Sequence, residues 1–290
     1  MPISAAEVSP STNLRIPTPI FNLVNGGAHG AGNLDFQEFH VIPSSRIAYK
    51  DALRAGAELW MSLKSELIHR NAIHSVGDEG GFAPDLFTNA DALELLSLVI
   101  KNSPYRLGID VHLGLDVAAN SFYSNNTYHI KDSPKPLDRT GMIQLYQNLI
   151  KDYSLLGIED PLDHEDWDGW TELTHLTPSS TMIIADDLVT TNAKLLTKAI
   201  EQKACTAVIV KPNQIGTITE TIALLKVAQD NNLTTIASHR SGETNDTFIA
   251  DFAVGLGTTY AKFGAPDRGE RVAKYNRLLE IDSYLSTAKA

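Results

Sequence analysis

Short apolar runs alternate with stretches of helical apolar spacing along most of this chain. Six such runs occupy residues 111–116, 155–160, 182–186, 207–211, 234–238 and 260–264. Each run predicts a short buried strand, and the stretch after it predicts a helix. Repeated strand–helix units require parallel strands joined by right-handed crossovers. The pattern therefore predicts an α/β fold with a parallel sheet.

The first hundred residues follow a different pattern. The apolar run 20–24 ends in a glycine-rich turn, and residues 36–42 predict a second strand, so the two form an antiparallel hairpin. Helical spacing follows at 45–70 and 89–101. Eight strands in this length predict a (β/α)₈ TIM-type barrel that opens with a ββαα segment. An open doubly wound sheet is the alternative, but no G-x-G-x-x-G follows a first strand.

The chain shows no linker between residues 18 and 285, so we expect one domain over 14–290. Residues 1–13 are rich in Ser, Ala and Pro and predict a disordered or lead-in arm. These 13 residues lack the basic and apolar regions of a signal peptide.

Composition narrows the possible functions of the 290 residues. The formal net charge of −11 argues against nucleic acid as a partner, because phosphate backbones need a basic surface. No stretch is long and apolar enough to span a membrane. The single Cys205 cannot form an internal disulfide, which fits a reducing compartment and a buried structural thiol. We therefore expect a cytoplasmic protein.

Three of the predicted strands end at an acidic residue, namely Asp116, Glu159 and Asp186. In neighbouring parallel strands, these carboxylates would converge and repel one another unless a cation lay between them. Carboxylate oxygens suit Mg²⁺ or Mn²⁺. The alternative is three unrelated acids that cap the following helices; all three in one phase along the chain favour the metal.

Two further residues suit proton transfer. Lys211 ends an apolar strand, and a lysine near a metal and other cations would have a lowered pKa and act as a base. It is otherwise an ion-pair partner for the three acids. Glu79 lies in a glycine-rich loop that could fold over the mouth of the barrel and act as an acid, with Asp78 as a rival.

Two basic positions suit an anionic substrate. Residues 238–244 form a polar loop in which Arg240 and Ser241 would bind phosphate, although such a loop alone is more often a helix cap. Lys262 follows another strand and would bind a carboxylate or phosphate, or else lie on the surface. Together these groups predict a metal-dependent barrel enzyme that removes an α-proton with a Lys base and expels a β-hydroxyl with a Glu acid.

At these residues the sequence resembles the enolase family. The matching motifs are Asn25-Gly26-Gly27-Ala28-His29, Gln37-Glu38-Phe39, Gly77-Asp78-Glu79-Gly80-Gly81, Gly114-Leu115-Asp116, Ile158-Glu159-Asp160-Pro161, Asp186-Asp187-Leu188, Lys211-Pro212-Asn213-Gln214, Ser238-His239-Arg240-Ser241-Gly242-Glu243-Thr244 and Gly264-Ala265-Pro266. The resemblance spans about residues 14–285. It implies a phosphopyruvate hydratase, a lyase of glycolysis, with an enolase-type barrel.

The resemblance also implies a role for each matching residue. Asp116, Glu159 and Asp186 would bind Mg²⁺, and the last two would also contact the substrate. Lys211 would remove the α-proton of 2-phosphoglycerate, and Glu79 would protonate the departing hydroxyl with help from Glu38. The remaining substrate contacts would come from His29, Gln37, His239, Arg240, Ser241 and Lys262.

Enolases carry an α+β domain before the barrel, one loop of which closes over the site and binds a second Mg²⁺. Only residues 1–13 precede the barrel in this sequence, which predicts a fragment, a split gene or a capless form, with impaired activity. We expect a homodimer or higher homo-oligomer, with a separate capping domain as a further partner. Two alternatives are a catalytically silent scaffold and another dehydratase of the superfamily; the phosphate loop argues against the second.

Overall fold

Ten strands are present in the described part of the chain, residues 14–30 and 34–287 of a computed structural model. They are β1 (Thr18–Asn25), β2 (Glu38–Pro43), β3 (Val111–Asp116), β4 (Tyr123–Ser124), β5 (Thr127–Tyr128), β6 (Leu155–Glu159), β7 (Met182–Ala185), β8 (Ala207–Val210), β9 (Thr234–Ser238) and β10 (Tyr260–Lys262). Eight of them close a barrel in the order β1-β10-β9-β8-β7-β6-β3-β2. The barrel confirms the predicted fold. The predicted arm at residues 1–13 lies outside the described residues.

Helices connect the strands and surround the barrel. They are α1 (Tyr49–His69), α2 (Asn89–Lys101), α3 (Arg139–Tyr153), α4 (Trp167–Leu176), α5 (Ala193–Glu201), α6 (Pro212–Ile215), α7 (Ile218–Asp230), α8 (Phe248–Gly255) and α9 (Gly269–Thr287). The predicted long helices lie within a few residues of their observed bounds. The pattern missed the one-turn helix α6 and the small hairpin β4–β5.

The second strand runs against both of its neighbours. β2 pairs antiparallel with β1 and with β3, whereas the other barrel pairs are parallel. The chain therefore opens with β1, β2, α1 and α2, as the ββαα prediction states. Because β2 is reversed, its first residue reaches the end of the barrel where the other strands finish. Glu38 thus pairs with Asp116, which in turn pairs with Glu159.

Inside the barrel, columns of alternate residues run from an apolar floor to a charged top. The floor is a buried cluster formed by Ile20, Ile42, Ile184, Ala207, Ile209 and Ile236. Successive side chains of a strand point to opposite faces, so every second residue stays in the interior. Ile184 is followed two residues later by Asp186, and Ile209 is followed by Lys211. The same alternation that fills the barrel therefore carries charged groups to its carboxyl end.

The outer core lies between the strands and the helices. Val208 and Val210 of β8 belong to this larger cluster, which is separate from the one inside the barrel. Cys205, just before β8, also lies in it and is buried. Burial raises the pKa of the Cys205 thiol to about 12, in keeping with a structural residue. Of the helices in the described ranges, none is both long and apolar enough to cross a membrane.

The packing of α1 on β1 generates a prediction. A Cβ at Gly56 would lie 2.3 Å from the ring of Phe21, which is fully buried. We expect Gly56→Ala to lower the free energy of unfolding by about 1–3 kcal/mol through overpacking, although alanine favours helix. Urea denaturation measures the change.

A matched control is available in another helix. Gly255 ends α8, and no described atom lies within 4 Å of its added Cβ. Gly255→Ala should therefore leave stability unchanged or raise it by up to about 1 kcal/mol. Equal effects in the two variants would contradict close packing of Gly56 on Phe21.

Candidate active site

A polar cavity of about 220 Å³ opens where the parallel barrel strands end. Its lining comprises Gln37, Glu38, Glu79, Asp116, Ala118, Asp160, Asp186, Asp187, Lys211, Ser238, His239, Arg240, Ser241 and Lys262. Two predicted site residues are absent from that lining. Glu159 is buried against Lys262, and the side chain of His29 lies outside what the structure describes. The strand ends thus bring together nearly all the residues singled out in the sequence.

Lys262 is the centre of the acidic side of the cavity. Its Nζ lies 2.8 Å from Oε2 of Glu159, 3.1 Å from Oδ2 of Asp116 and 3.4 Å from Oε2 of Glu38. All four side chains are buried. Burial would lower the pKa of Lys262, but the carboxylates, Glu159 foremost, raise it well above its ordinary value. Lys262 is therefore a buried ammonium, and the alternative of a surface lysine is wrong.

One ammonium does not neutralise three carboxylates. Burial raises the pKa of Glu159 well above its ordinary value, and the nearby charge of Asp116 raises it further against the attraction of Lys262. Burial also raises the pKa of Asp116, with Lys262 opposing it and Glu38 adding to it. With all three ionised, the cluster would carry more negative charge than Lys262 neutralises; the raised pKa values reflect the cost of that surplus, and a further cation would lower it.

Lys211 forms a second ion pair next to this cluster. Its Nζ donates to Oδ2 of Asp186, and its backbone N–H donates to Oγ1 of Thr191 at 3.0 Å. Burial alone would lower the pKa of Lys211, but Asp186 and Glu159 outweigh burial and raise it. The expectation of a lowered pKa is wrong for this arrangement, because the nearest charges are carboxylates rather than cations.

A third acidic group lies around the turn after β6. Ligand oxygens of Asp160, Asp186 and Asp187 lie within 4.8 Å of one another, a spacing that could hold a metal ion. Asp160 has a left-handed backbone, with φ of 45°, and its carboxylate accepts the backbone N–H groups of Asp186 (3.0 Å) and Asp187 (2.9 Å). Asp160 thus fixes the backbone that carries Asp186. The sequence alone assigns Asp160 no role, although it adjoins Glu159.

The predicted metal ligands are divided between two lysines. Asp116 and Glu159 accept hydrogen bonds from Nζ of Lys262, whereas Asp186 accepts one from Nζ of Lys211. Within the described ranges, Oδ1 of the buried Asp186 has no hydrogen-bond partner. An unpaired buried carboxylate oxygen beside an acidic cluster is suited to a cation, because its desolvation is otherwise not compensated.

Glu79, and not its rival Asp78, reaches the cavity. Its buried carboxylate accepts a hydrogen bond from Nδ2 of Asn22 at 3.0 Å and lies 3.5 Å from Nε2 of His239. The hydroxyl of Ser241 donates to the other carboxylate oxygen at 3.4 Å. The side chain of Asp78 is exposed and does not line the cavity.

The remaining predicted residues lie around the cavity mouth. Arg240 is exposed, and its Nη1 lies 3.5 Å from Oδ1 of Asn213. Gln37, just before β2, donates from Nε2 to Asp116 at 3.4 Å. The exposed guanidinium of Arg240 leaves donors for an anion at the edge of the cavity.

Two residues without a recognisable signal in the sequence, Asn22 and Arg271, form hydrogen bonds that support this site. Asn22 is an inward residue of an apolar strand and gives no signal of its contact with Glu79. Arg271 lies in α9, is buried, and contacts the backbone of both loops that carry Glu79 and Ser241. A charged residue in an amphipathic helix gives no sign from its spacing that it faces inward.

Comparison with known proteins places the chain in a family. A family profile described as "Enolase, C-terminal TIM barrel domain" matches residues 13–290. The chain is 44% identical over 273 residues to an enolase of Helicobacter pylori and 45% identical over 273 residues to one of Rubrobacter xylanophilus. It is 43% identical over 288 residues to an enolase of Beutenbergia cavernae.

The three alignments cover nearly all of this chain but only about two thirds of each relative. They include 94% of this chain for the first two relatives and 99% for the third. The chain spans 64% of the length of the Helicobacter and Rubrobacter proteins and 67% of the Beutenbergia protein. A profile match over nearly the whole chain, together with the closed barrel and its charged carboxyl end, shows that the chain belongs to the enolase family, as its C-terminal TIM barrel domain.

Proposed function

We propose that this barrel catalyses the dehydration of 2-phosphoglycerate to phosphoenolpyruvate, the phosphopyruvate hydratase reaction of glycolysis. One observation carries the proposal. Lys211, which is ion-paired with Asp186, and the buried carboxyl group of Glu79 reach the same cavity from different loops. A base and an acid are both needed when an α-proton and a β-hydroxyl leave the same substrate.

The two proton transfers occur in sequence. Neutral Lys211 accepts the α-proton on Nζ, and the electron pair of the broken C–H bond moves into the substrate carboxylate. The electron pair then returns from the carboxylate to form the carbon–carbon double bond, while the C–O bond to the β-hydroxyl breaks and the hydroxyl takes the proton of Glu79 and leaves as water. Glu38 assists this second step. Lys211 must first lose its own proton, which its pairing with Asp186 opposes.

The other side chains hold the anionic substrate. Arg240 and Ser241 bind the phosphate, which suits a guanidinium and a hydroxyl at the cavity mouth. The remaining proposed contacts come from His29, Gln37, Glu159, Asp186, His239 and Lys262. Lys262 also limits repulsion between the acidic side of the cavity and a negatively charged substrate, because its ammonium lies among three carboxylates.

The donor set fits a divalent metal cofactor, and we propose Mg²⁺. Asp116, Glu159 and Asp186 would hold it, with the surplus carboxylate charge and the unpaired Oδ1 of Asp186 in support. Hard oxygen ligands of this kind suit Mg²⁺. A bound divalent cation would supply positive charge that weakens the Lys211–Asp186 pairing and stabilises negative charge on the substrate carboxylate.

The chain spans 64% of the length of the Helicobacter and Rubrobacter relatives, so each of them carries further residues beyond the aligned stretch. We propose that these 290 residues by themselves turn over 2-phosphoglycerate slowly and that a capping domain, of the same or of another polypeptide, completes the site. Phosphoenolpyruvate formation, followed with and without Mg²⁺, tests this. The assay is run on the chain alone and after adding the stretch of the Helicobacter relative that the alignment leaves uncovered. Homo-oligomerisation stays a prediction, checked by light scattering.

Separate roles for the base and the acid give the next prediction. Lys211→Ala should abolish exchange of the substrate α-proton with D₂O, whereas Glu79→Gln should retain exchange and lose dehydration by about 10²–10⁴-fold. Proton NMR follows exchange, and the absorbance of phosphoenolpyruvate follows dehydration. The reverse pattern would exchange the two roles. If the chain together with the added stretch of the Helicobacter relative (the completed protein) showed neither exchange nor dehydration, the result would favour a catalytically silent scaffold.

Metal binding is tested by calorimetry with Mg²⁺ in the presence of substrate. Asp186→Ala should abolish the binding. Asp110→Ala should not, because Asp110 is a half-buried aspartate that pairs with Arg106 and does not line the cavity. Glu159→Gln and Asp187→Asn distinguish the two acidic groups. Loss in Glu159→Gln alone would support the proposed ligands, whereas loss in Asp187→Asn alone would assign the ion to the group of Asp160, Asp186 and Asp187.

A further inference from the structure

Arg271 makes a set of contacts that no other part of the proposed mechanism uses. Its side chain in α9 is only 1% exposed. Nη1 donates to the backbone oxygen of Arg240 at 2.7 Å and lies 2.6 Å from Nδ1 of His239. Nη2 donates to the backbone oxygens of Asp78 at 2.9 Å and Ser241 at 2.7 Å. One guanidinium therefore joins the loop that carries Glu79 to the loop that carries His239 and Ser241.

The contact with His239 determines which ring nitrogen carries the proton. A guanidinium is always protonated and has only donors, so Nδ1 of His239 must accept the hydrogen bond. In a neutral imidazole the proton then lies on Nε2. Burial lowers the pKa of His239, and the charge of Arg271 also lowers it against the attraction of Glu79, so the neutral ring is favoured.

The other nitrogen of the ring faces the proposed acid. Nε2 of His239 is buried, lies 3.5 Å from Oε2 of Glu79 and makes no closer hydrogen bond to the residues that the structure describes. An N–H group at this place stabilises a carboxylate more than a carboxylic acid. It would therefore act when Glu79 has given its proton to the departing hydroxyl.

Glycine at position 264 leaves room for this arrangement. Its φ of +88° is in the left-handed region, and an added Cβ would lie 3.1 Å from Cδ of Arg271 and 3.1 Å from Cε1 of His239. The same Cβ would lie 2.6 Å from the backbone oxygen of Glu79. The backbone of Glu79 and the side chains of Arg271 and His239 approach this closely because residue 264 has no side chain.

We propose that Arg271 is a positioning residue for the dehydration step, which fixes His239 as the Nε2–H tautomer and directs that N–H at Glu79. The proposal rests on the proposed function in assigning Glu79 as the acid. Arg271 does not line the cavity and acts through His239. Its loss should slow the elimination of water more than the removal of the α-proton.

A neighbouring residue of the same helix provides a matched control. Lys274 is also buried, donates to the backbone oxygen of Thr244 at 2.8 Å and pairs with Glu243 at 2.8 Å. It supports the same loop but makes no contact with His239 among the described residues. Arg271→Met and Lys274→Met therefore both remove a buried cation beneath the loop, and only the first removes the donor to Nδ1.

The first measurement is the tautomer of His239, read by ¹⁵N NMR in the protein without substrate. His239→Asn identifies its signals among those of the nine histidines. We expect the Nε2–H tautomer in the unmodified protein and in Lys274→Met, and a mixture of tautomers in Arg271→Met. Arg271→Lys, which keeps a donor-only side chain, should restore it at least in part. An Nδ1–H tautomer in the unmodified protein would overturn the proposal, even if every variant at 271 fails to fold.

The second measurement compares the two reaction steps in the completed protein. Arg271→Met should lower dehydration roughly tenfold relative to exchange of the α-proton, which corresponds to about 1.4 kcal/mol. Lys274→Met should change the two rates by the same factor, since loosening the loop affects both. An unchanged ratio in Arg271→Met would reject the proposal. Inactivity of all forms would instead reject the proposed function, and the tautomer would still test the contact.

Discussion

The carboxyl end of this barrel depends on the ion pairs between the ammonium of Lys262 and three buried carboxylates. Closure of the eight strands brings Glu38, Asp116 and Glu159 to adjacent positions, as their pairing in the sheet requires. Three buried carboxylates at such distances cannot all ionise without a nearby positive charge. Lys262, from a strand on the far side of β1, provides that charge.

Lys262 neutralises the three carboxylates only in part, and this incomplete neutralisation suits the site to cation binding and proton transfer. The carboxylates around Lys262 keep raised pKa values, and Asp186 retains an unpaired buried oxygen in the described part of the protein. A site whose carboxylates were fully neutralised by its own lysines would have little affinity for a cation, and its groups would exchange protons less readily. The same surplus also holds a proton on Lys211, so the charge that attracts a metal opposes the base until the pairing with Asp186 weakens.

The acid side of the cavity depends on backbone contacts rather than on a charge cluster. Glu79 lies in a loop whose position is set by hydrogen bonds from Arg271 to Asp78 and from Trp60 to Gly80. Helix α9, the last helix described, therefore closes the fold onto a loop almost 200 residues earlier. Such contacts couple the geometry of the site to the packing of the outer helices.

The sequence by itself determined the strand and helix pattern, because alternation and helical spacing directly encode which faces are buried. The motifs Ile158-Glu159-Asp160-Pro161 and Lys211-Pro212 placed charged residues at strand ends, and the closed barrel explains why they converge. The hairpin β4–β5 was missed because two-residue strands are too short for alternation, although Asn125-Asn126, both with positive φ, form the turn between them.

Only the tertiary structure decided which charges are neighbours. The position of Lys262 among the acids, the raised pKa of Lys211 and the contacts of Arg271 and Asn22 join residues that lie from 25 to more than 200 positions apart in the chain. Local propensity contains no information about such pairs. Their energies depend on distance and burial, which exist only once the strands have closed and the helices have packed around them.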